Sequence, residues 1–163
     1  MSFEHLFSGS AVGRVAADGT VSLPPFIARV LAGASVRQLI VSAHDTDPCL
    51  KAYEASHQSR LLAEVERRRL RDEAEGRSGA DHHQRARRAF GFAEEAPVDA
   101  DGRLALPPMM LRKGGIRGTA LFVGTGESFE IWDPETARTA GDESLREIVM
   151  FRVGSIEEEE DRG

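Results

Sequence analysis

The chain contains one short pattern twice, and this duplication constrains the fold more than any other feature of the sequence. The second copy, residues 98–111, reads VDADGRLALPPMML and combines a tight loop, a strand and the start of a helix. Gly102 suits a loop position with positive φ, Asp99 suits the acceptance of hydrogen bonds from nearby backbone amides, and Pro108 suits the first position of a helix. In the strand between them, Leu104 is predicted to face opposite to Arg103.

The first copy, residues 15–27, reads VAADGTVSLPPFI. Four of its positions match the second copy in the same order: Gly19, Leu23, Pro24 and Pro25 against Gly102, Leu106, Pro107 and Pro108. Later apolar runs also correspond, since LIV at 39–41 matches LFV at 121–123 and LKAY at 50–53 matches FEIW at 129–132. A unit of this size buries too little surface to form a core alone. The duplication therefore predicts two β-rich units that share one core.

The stretch between the two copies has a different period. Leu61, Leu62, Val65 and Leu70 form a helical stripe, and the sequence at 75–79, EGRSG, interrupts it before a second helix that Ser78 is expected to cap. The predicted fold class is therefore α+β and β-rich. It divides into a first unit at 7–57, a helical connector at 58–95, a second unit at 96–140 and an acidic tail at 141–163.

Charge is distributed unevenly along the chain. The 163 residues carry a formal net charge of −6, which argues against general binding to nucleic acid. Arginine is frequent at 67–71 and 85–88, whereas residues 157–161 read EEEED. The acidic block predicts a solvated tail without fixed structure. The arginines are interpreted mainly as a solvated helix face that pairs with Glu64, Glu66 and Glu73, and the alternative is local contact with phosphate.

Several classes of protein are disfavoured by the sequence. No run approaches the roughly 20 apolar residues that a membrane span needs, and no leader precedes the first copy, so a cytoplasmic location without membrane contact is expected. The single Cys49 predicts a structural thiol. His82 and His83 are adjacent and point apart on a helix, so they do not predict a metal site. No catalytic residue, cofactor-binding residue or metal ligand is predicted.

The chain resembles the MraZ family of bacterial transcriptional regulators over residues 7–139. The resemblance rests on the spacing Asp-x-x-x-Arg at Asp99 and Arg103, on the following Gly-Arg-Leu-x-Leu-Pro, on FEIW at 129–132 and on the opening Phe-x-Gly. It implies two tandem swapped-hairpin (AbrB-like) units related by pseudo-symmetry and joined by the connector. It also implies a closed homo-oligomeric ring that binds repeated short boxes of double-stranded promoter DNA in the division and cell-wall gene cluster. The resemblance implies neither catalysis nor a cofactor, and it places the protein at the nucleoid.

The first copy departs from the family pattern. Where the pattern has Asp-x-x-x-Arg, this chain has Ala16 and Thr20, so both a loop-bracing carboxylate and a DNA-contacting guanidinium are expected to be missing there. Arg14, predicted to lie on the same strand face as Ala16, is a candidate for a substitute charge. The candidate DNA-binding residues are Asp99, Gly102 and Arg103 in the second unit and Arg14, Gly19 and Thr20 in the first.

Two questions stay open at the level of sequence. Asp99 and Arg103 form either a mutual salt bridge that braces the hairpin or a loop that presents the arginine to DNA, and the two roles are compatible. The whole chain is either a sequence-specific DNA-binding regulator or an oligomeric scaffold, a divergent member whose operator binding is weakened or lost through the altered first loop.

Overall fold

The computed structural model describes the backbone of residues 6–162 and the side chains of residues 6–154. The strands are β1 (Ser10–Arg14), β2 (Thr20–Ser22), β3 (Gln38–Ala43), β4 (Leu50–Tyr53), β5 (Glu94–Pro97), β6 (Arg103–Ala105), β7 (Thr119–Gly124) and β8 (Phe129–Trp132). The helices are α1 (Pro25–Gly33), α2 (Gln58–Ala74), α3 (Gly79–Ala86), α4 (Pro108–Lys113), α5 (Pro134–Ala140) and α6 (Glu143–Arg162). A 3-10 turn at Ala55–His57 precedes α2, and a π-helical turn at Arg87–Gly91 follows α3.

The strands form one six-stranded sheet, in the order β1-β7-β8-β4-β3-β5, and a separate two-stranded ribbon of β2 and β6. Every pair of neighbouring strands is antiparallel. The predicted mixed α+β class is thus confirmed, with a mainly antiparallel sheet. The first strand of each predicted unit pairs with a strand of the other unit: β1 with β7, and β5 with β3.

The core lies between the sheet, the ribbon and helices α1 and α4. Val21 and Leu104 enter it from the ribbon, Ile27 from α1 and Met110 from α4, each at most 1% exposed. Phe122, fully buried in β7, packs in the same cluster. Residues of both predicted units therefore share one core, as the repeat predicts, because apolar side chains from the two copies pack against each other.

The connector helices cover a second, smaller cluster. Leu61 and Val65 of α2 pack with Ile40 and Tyr53 of the sheet, and Ala89 of the π-helical turn completes the contact. The predicted break is observed between α2 and α3. The side chain of the cap residue there, Ser78, accepts a hydrogen bond from the second amide of α3. The connector ends earlier than expected, because β5 begins at Glu94, where the chain pairs with β3.

The prediction of an unstructured tail is wrong for the described backbone, which continues as α6 to Arg162. Leu145 and Val149 are 8% and 0% exposed and pack against Trp132 and Ala137, so the start of this helix is held by apolar burial. Glutamate is also a good helix former, which extends the helix into the acidic block. No helix in the described part of the chain combines the length and the apolar character that crossing a bilayer requires.

Candidate functional site

The β2–β6 ribbon carries the predicted site residues on its exposed side. Its register pairs Thr20 with Ala105 and Ser22 with Arg103, while the central pair, Val21 and Leu104, points into the core. Since side chains alternate along a strand, the four other residues point outward. We call these outward side chains, Thr20, Ser22, Arg103 and Ala105, the ribbon face. Arg103 is its exposed cation.

The loop before β6 is braced by Asp99. Its Oδ1 accepts hydrogen bonds from the amides of Asp101 and Arg103, both at 2.9 Å. Gly102 has φ +76° and completes the turn in a conformation that glycine adopts without strain. Among the described residues, Asp99 and Arg103 form no ion pair. The carboxylate therefore shapes the loop through backbone amides and leaves the guanidinium exposed on the ribbon face.

The loop before β2 has its own bracing carboxylate, so the expectation that it lacks one is wrong. Asp18 Oδ1 accepts hydrogen bonds from the Thr20 amide at 3.0 Å and from the Thr20 hydroxyl at 2.7 Å. These two hydrogen bonds lower the pKa of Asp18, and the positive charge of Arg103 lowers it further. Ala16 needs no carboxylate because Asp18, two residues later, performs the bracing. The guanidinium expected at Thr20 is still absent.

The two loops meet the rest of the fold in different ways. The carbonyl of Gly19 accepts a hydrogen bond from Leu106, and the carbonyl of Gly102 accepts the corresponding one from Leu23. However, Gly19 is buried, and a Cβ there would lie 3.0 Å from the Leu106 carbonyl oxygen and 3.1 Å from Leu111 Cδ1. A Cβ at Gly102 would meet nothing within 4 Å. The first loop is therefore packed against α4, and the second is free of such contact.

The second loop borders a groove, so no side chain of the described residues packs against Gly102. In the repeat alignment Ala28 of α1 stands where the second copy has Leu111, so the apolar side chain that contacts the first loop has no equivalent beside the second. A groove of about 760 Å³ remains there, lined by apolar residues of α1 and by Asp99, Ala100 and Asp101.

Alanine substitutions should reveal this difference between the loops. Gly19→Ala is expected to lower the free energy of unfolding by about 2–4 kcal/mol, because the residue has φ +87° and the new methyl group would press on Leu106 and Leu111. Gly102→Ala is expected to cost only about 1–2 kcal/mol, the cost of a left-handed backbone alone. Urea denaturation of both variants measures the difference, and equal losses would contradict the packing of the first loop.

Arg14 does not belong to the ribbon. It lies at the end of β1, opposite Thr119, in the six-stranded sheet, and its side chain is exposed. Ala16, with which it was expected to share a strand face, lies in the loop between the two sheets. The expected shared strand face is therefore wrong, since β1 ends at Arg14 before Ala16 is reached. That Arg14 supplies a substitute charge stays a prediction.

Five of the nine arginines in the connector form ion pairs with acidic side chains. Arg69 contacts Glu66 at 2.9 Å and Glu73 at 2.7 Å, as expected for helix neighbours. Arg68 pairs with Asp45 at 3.1 Å. The sequence did not suggest a further pair, between Arg85 and the buried Asp72, and the hydrogen bond from Arg85 lowers the pKa of that carboxyl. These pairs support the interpretation of a charged structural face.

Three side chains lie as close together as the ligands of a metal ion, but the ring nitrogens of the histidine among them are already hydrogen-bonded or paired within the protein. His44, Asp47 and Glu130 have ligand atoms within 4.8 Å of one another. His44 Nδ1 already accepts hydrogen bonds from the amides of Thr46 and Asp47, at 3.2 and 3.0 Å, and Nε2 lies 3.2 Å from Glu130. Hydrogen bonding to Glu130 raises the pKa of His44. Both ring nitrogens are thus occupied by the protein itself.

Cys49 is a structural residue, as predicted. It is 3% exposed and packs with Leu121 and Trp132. Burial raises the pKa of its thiol well above the usual value, which disfavours the thiolate that nucleophilic attack requires.

Curated proteins of one kind match most of the chain, although no protein-family model matches it. The transcriptional regulator MraZ of Rhodospirillum rubrum is 30% identical over 128 residues, which cover 78% of this chain and 79% of that protein. The transcriptional regulator MraZ of Alcanivorax borkumensis is 30% identical over 134 residues, with 80% and 85% covered. That of Saccharophagus degradans is 28% identical over 130 residues, with 80% and 84% covered.

Proposed function

This chain belongs to the MraZ family of transcriptional regulators, and from that premise we propose that it is itself a sequence-specific DNA-binding transcriptional regulator. Its relatives are named as regulators and not as enzymes, which agrees with the expectation of a non-enzyme. The observation that carries the proposal is the exposed Arg103, presented by a loop that Asp99 braces through two backbone amides.

The ribbon face is the proposed DNA-contacting surface. A two-stranded ribbon is narrow enough to enter a major groove, and an arginine fork matches both a guanine edge and a phosphate. The brace at Asp99 fixes the backbone from which Arg103 projects, so less conformational entropy is lost on binding. The paired connector arginines, such as Arg68 and Arg69, are less suitable because contact with phosphate would compete with their existing ion pairs.

We further propose that the two units are AbrB-like swapped hairpins related by pseudo-symmetry, and that copies of the chain assemble into a closed ring. The strand order supports the first part, since exchanging the first four strands for the last four gives the same order reversed. The position of β1 and β5 at the two ends of the six-stranded sheet supports the second part, because edge strands favour pairing with another chain. In a ring, the ribbon-face arginine of each chain, Arg103, can contact DNA at several sites at once.

Mass measurement tests the assembly. We expect a large closed homo-oligomer at micromolar concentration by native mass spectrometry or multi-angle light scattering, with one dominant stoichiometry because a ring closes. The measured mass should stay at that value when the protein concentration is raised further. A monomer at micromolar concentration would end the ring hypothesis, and an unbroken series of masses would indicate open filaments.

The proposed target is a set of repeated short boxes in the promoter of the division and cell-wall gene cluster, which places the protein at the nucleoid. The direct test is a titration against the DNA upstream of its own gene, at two stated salt concentrations, with scrambled DNA of equal length as the control. We expect tighter binding to the natural fragment than to the scrambled DNA at both salt concentrations. Equal affinities for the two fragments would contradict sequence-specific binding.

The alternative is an oligomeric scaffold with weakened or lost operator binding. One observation favours it: Thr20 stands where the family pattern has an arginine, and the loops that flank Arg103, the exposed cation of the ribbon face, carry Asp18, Asp99 and Asp101. Such a chain would form the oligomer and yet show no preference for the upstream fragment. The two measurements above therefore separate the regulator from the scaffold.

A further inference from the structure

A carboxylate of the first loop lies in the electrostatic field of the second unit's arginine. Asp18 is exposed and is held by the amide and the hydroxyl of Thr20. Arg103 is 85 positions later in the chain, but the ribbon register places it on the same face as Thr20 and opposite Ser22. The hydrogen bonds from Thr20 lower the pKa of Asp18 most, and the positive charge of Arg103 makes a further, smaller contribution in the same direction.

The two groups attract each other without forming a contact. Among the described residues there is no ion pair or hydrogen bond between Asp18 and Arg103. The guanidinium therefore keeps its donors for a ligand, while the carboxylate weakens the positive potential around it. The Thr20 hydroxyl holds that carboxylate beside the ribbon face, because its hydrogen bond of 2.7 Å orients the Asp18 side chain.

We propose that Asp18 is a specificity-determining residue, whose negative charge weakens the attraction of the ribbon face for phosphate while Arg103 stays free to bind base edges. This inference rests on the proposed DNA-binding function. Attraction to the phosphate backbone is independent of sequence, and on non-matching DNA phosphate is the partner that Arg103 contacts, so the nearby carboxylate weakens that complex most. A base contact in a matched box restores binding there and nowhere else, which raises the ratio of specific to non-specific affinity.

Asp18→Asn tests the role of the charge. Asparagine keeps an oxygen that accepts the Thr20 hydrogen bonds and loses the negative charge. We expect affinity for scrambled DNA to rise about two- to fivefold per bound subunit, the range of one exposed charge interaction, and affinity for the upstream fragment to rise less. The ratio of the two affinities should therefore fall.

Glu143→Gln is the matched control, since it removes one exposed carboxylate from the start of α6, outside the ribbon. Its effect on the affinity ratio should be negligible. An unchanged ratio in Asp18→Asn, or equal changes in the two variants, would overturn the inference and leave the proposed function intact. A wild-type chain that binds both DNAs equally would overturn the proposed function and the inference with it.

A second measurement needs no DNA and no change at Asp18. Carboxyl carbon NMR of the wild type and of Arg103→Gln reports the pKa of Asp18 directly. We expect this pKa to rise in the variant, because the favourable positive charge is lost while the Thr20 hydrogen bonds remain. An unchanged pKa would show that Arg103 does not act on Asp18, which would overturn the inference even if the Asp18 variant altered DNA binding.

Discussion

Replacing Arg103 with alanine is expected to weaken binding to a DNA fragment with several boxes by about a hundredfold or more. A good bidentate contact to a base contributes roughly 1–3 kcal/mol, which is about 5- to 150-fold in affinity for one subunit. When several subunits of a ring bind one DNA fragment at once, every subunit loses the same contact. The reductions in affinity of the individual subunits therefore multiply. The measurement is a fluorescence anisotropy titration on fragments with one and with several boxes.

Arg68→Ala is the matched control for this substitution. It also removes one partly exposed arginine, but from α2, where the guanidinium pairs with Asp45 at 3.1 Å. We expect a change of less than about threefold, because an exposed ion pair contributes only about 0–1 kcal/mol and the residue does not lie on the ribbon face. Equal losses from Arg103→Ala and Arg68→Ala would identify the connector helices, and not the ribbon, as the DNA-contacting surface.

Neither predicted unit is expected to fold when it is produced alone. A fragment of residues 1–57 would lose the partners of three strands, since β1 pairs with β7, β2 with β6 and β4 with β8. Val21 and Ile27 would also lose Leu104 and Met110, which complete their core. Fragments 1–57 and 96–140 should therefore show no cooperative thermal transition in circular dichroism and no dispersed amide signals in NMR spectra.

Cutting the connector provides the control for this prediction. Fragments 1–77 and 78–163, produced together, separate the chain at the exposed break between α2 and α3 and keep every strand pair available. We expect them to associate and to unfold in one transition. A folded, monomeric 1–57 fragment would show that the first unit has a core of its own, against the shared core of the structure.

Local chemistry explains what could be predicted from the sequence alone. The two copies of the Gly-x-x-x-Leu-Pro-Pro pattern each specify a turn, a strand and a helix start, and both are observed. Asp133 directly before Pro134 is a typical start of a helix, and its side chain accepts the hydrogen bond of the Thr136 amide at the start of α5. These features depend on residues within a few positions of one another, so pattern and spacing are sufficient. The family resemblance, carried by the same motifs, is confirmed by the relatives.

Only the tertiary structure decided how the site is arranged. The sequence suggested that the first loop had lost its carboxylate, whereas Asp18 performs the bracing, a choice that depends on the exact turn. The sequence could not show that Asp18 and Arg103 act on each other, because β2 and β6 meet through a pairing of residues more than 80 positions apart. It likewise could not show the groove beside Ala28, because the groove forms between α1 and the second loop, which are distant in sequence. Short-range propensity determined the elements of this protein, and long-range burial and pairing determined which charges its ribbon face presents.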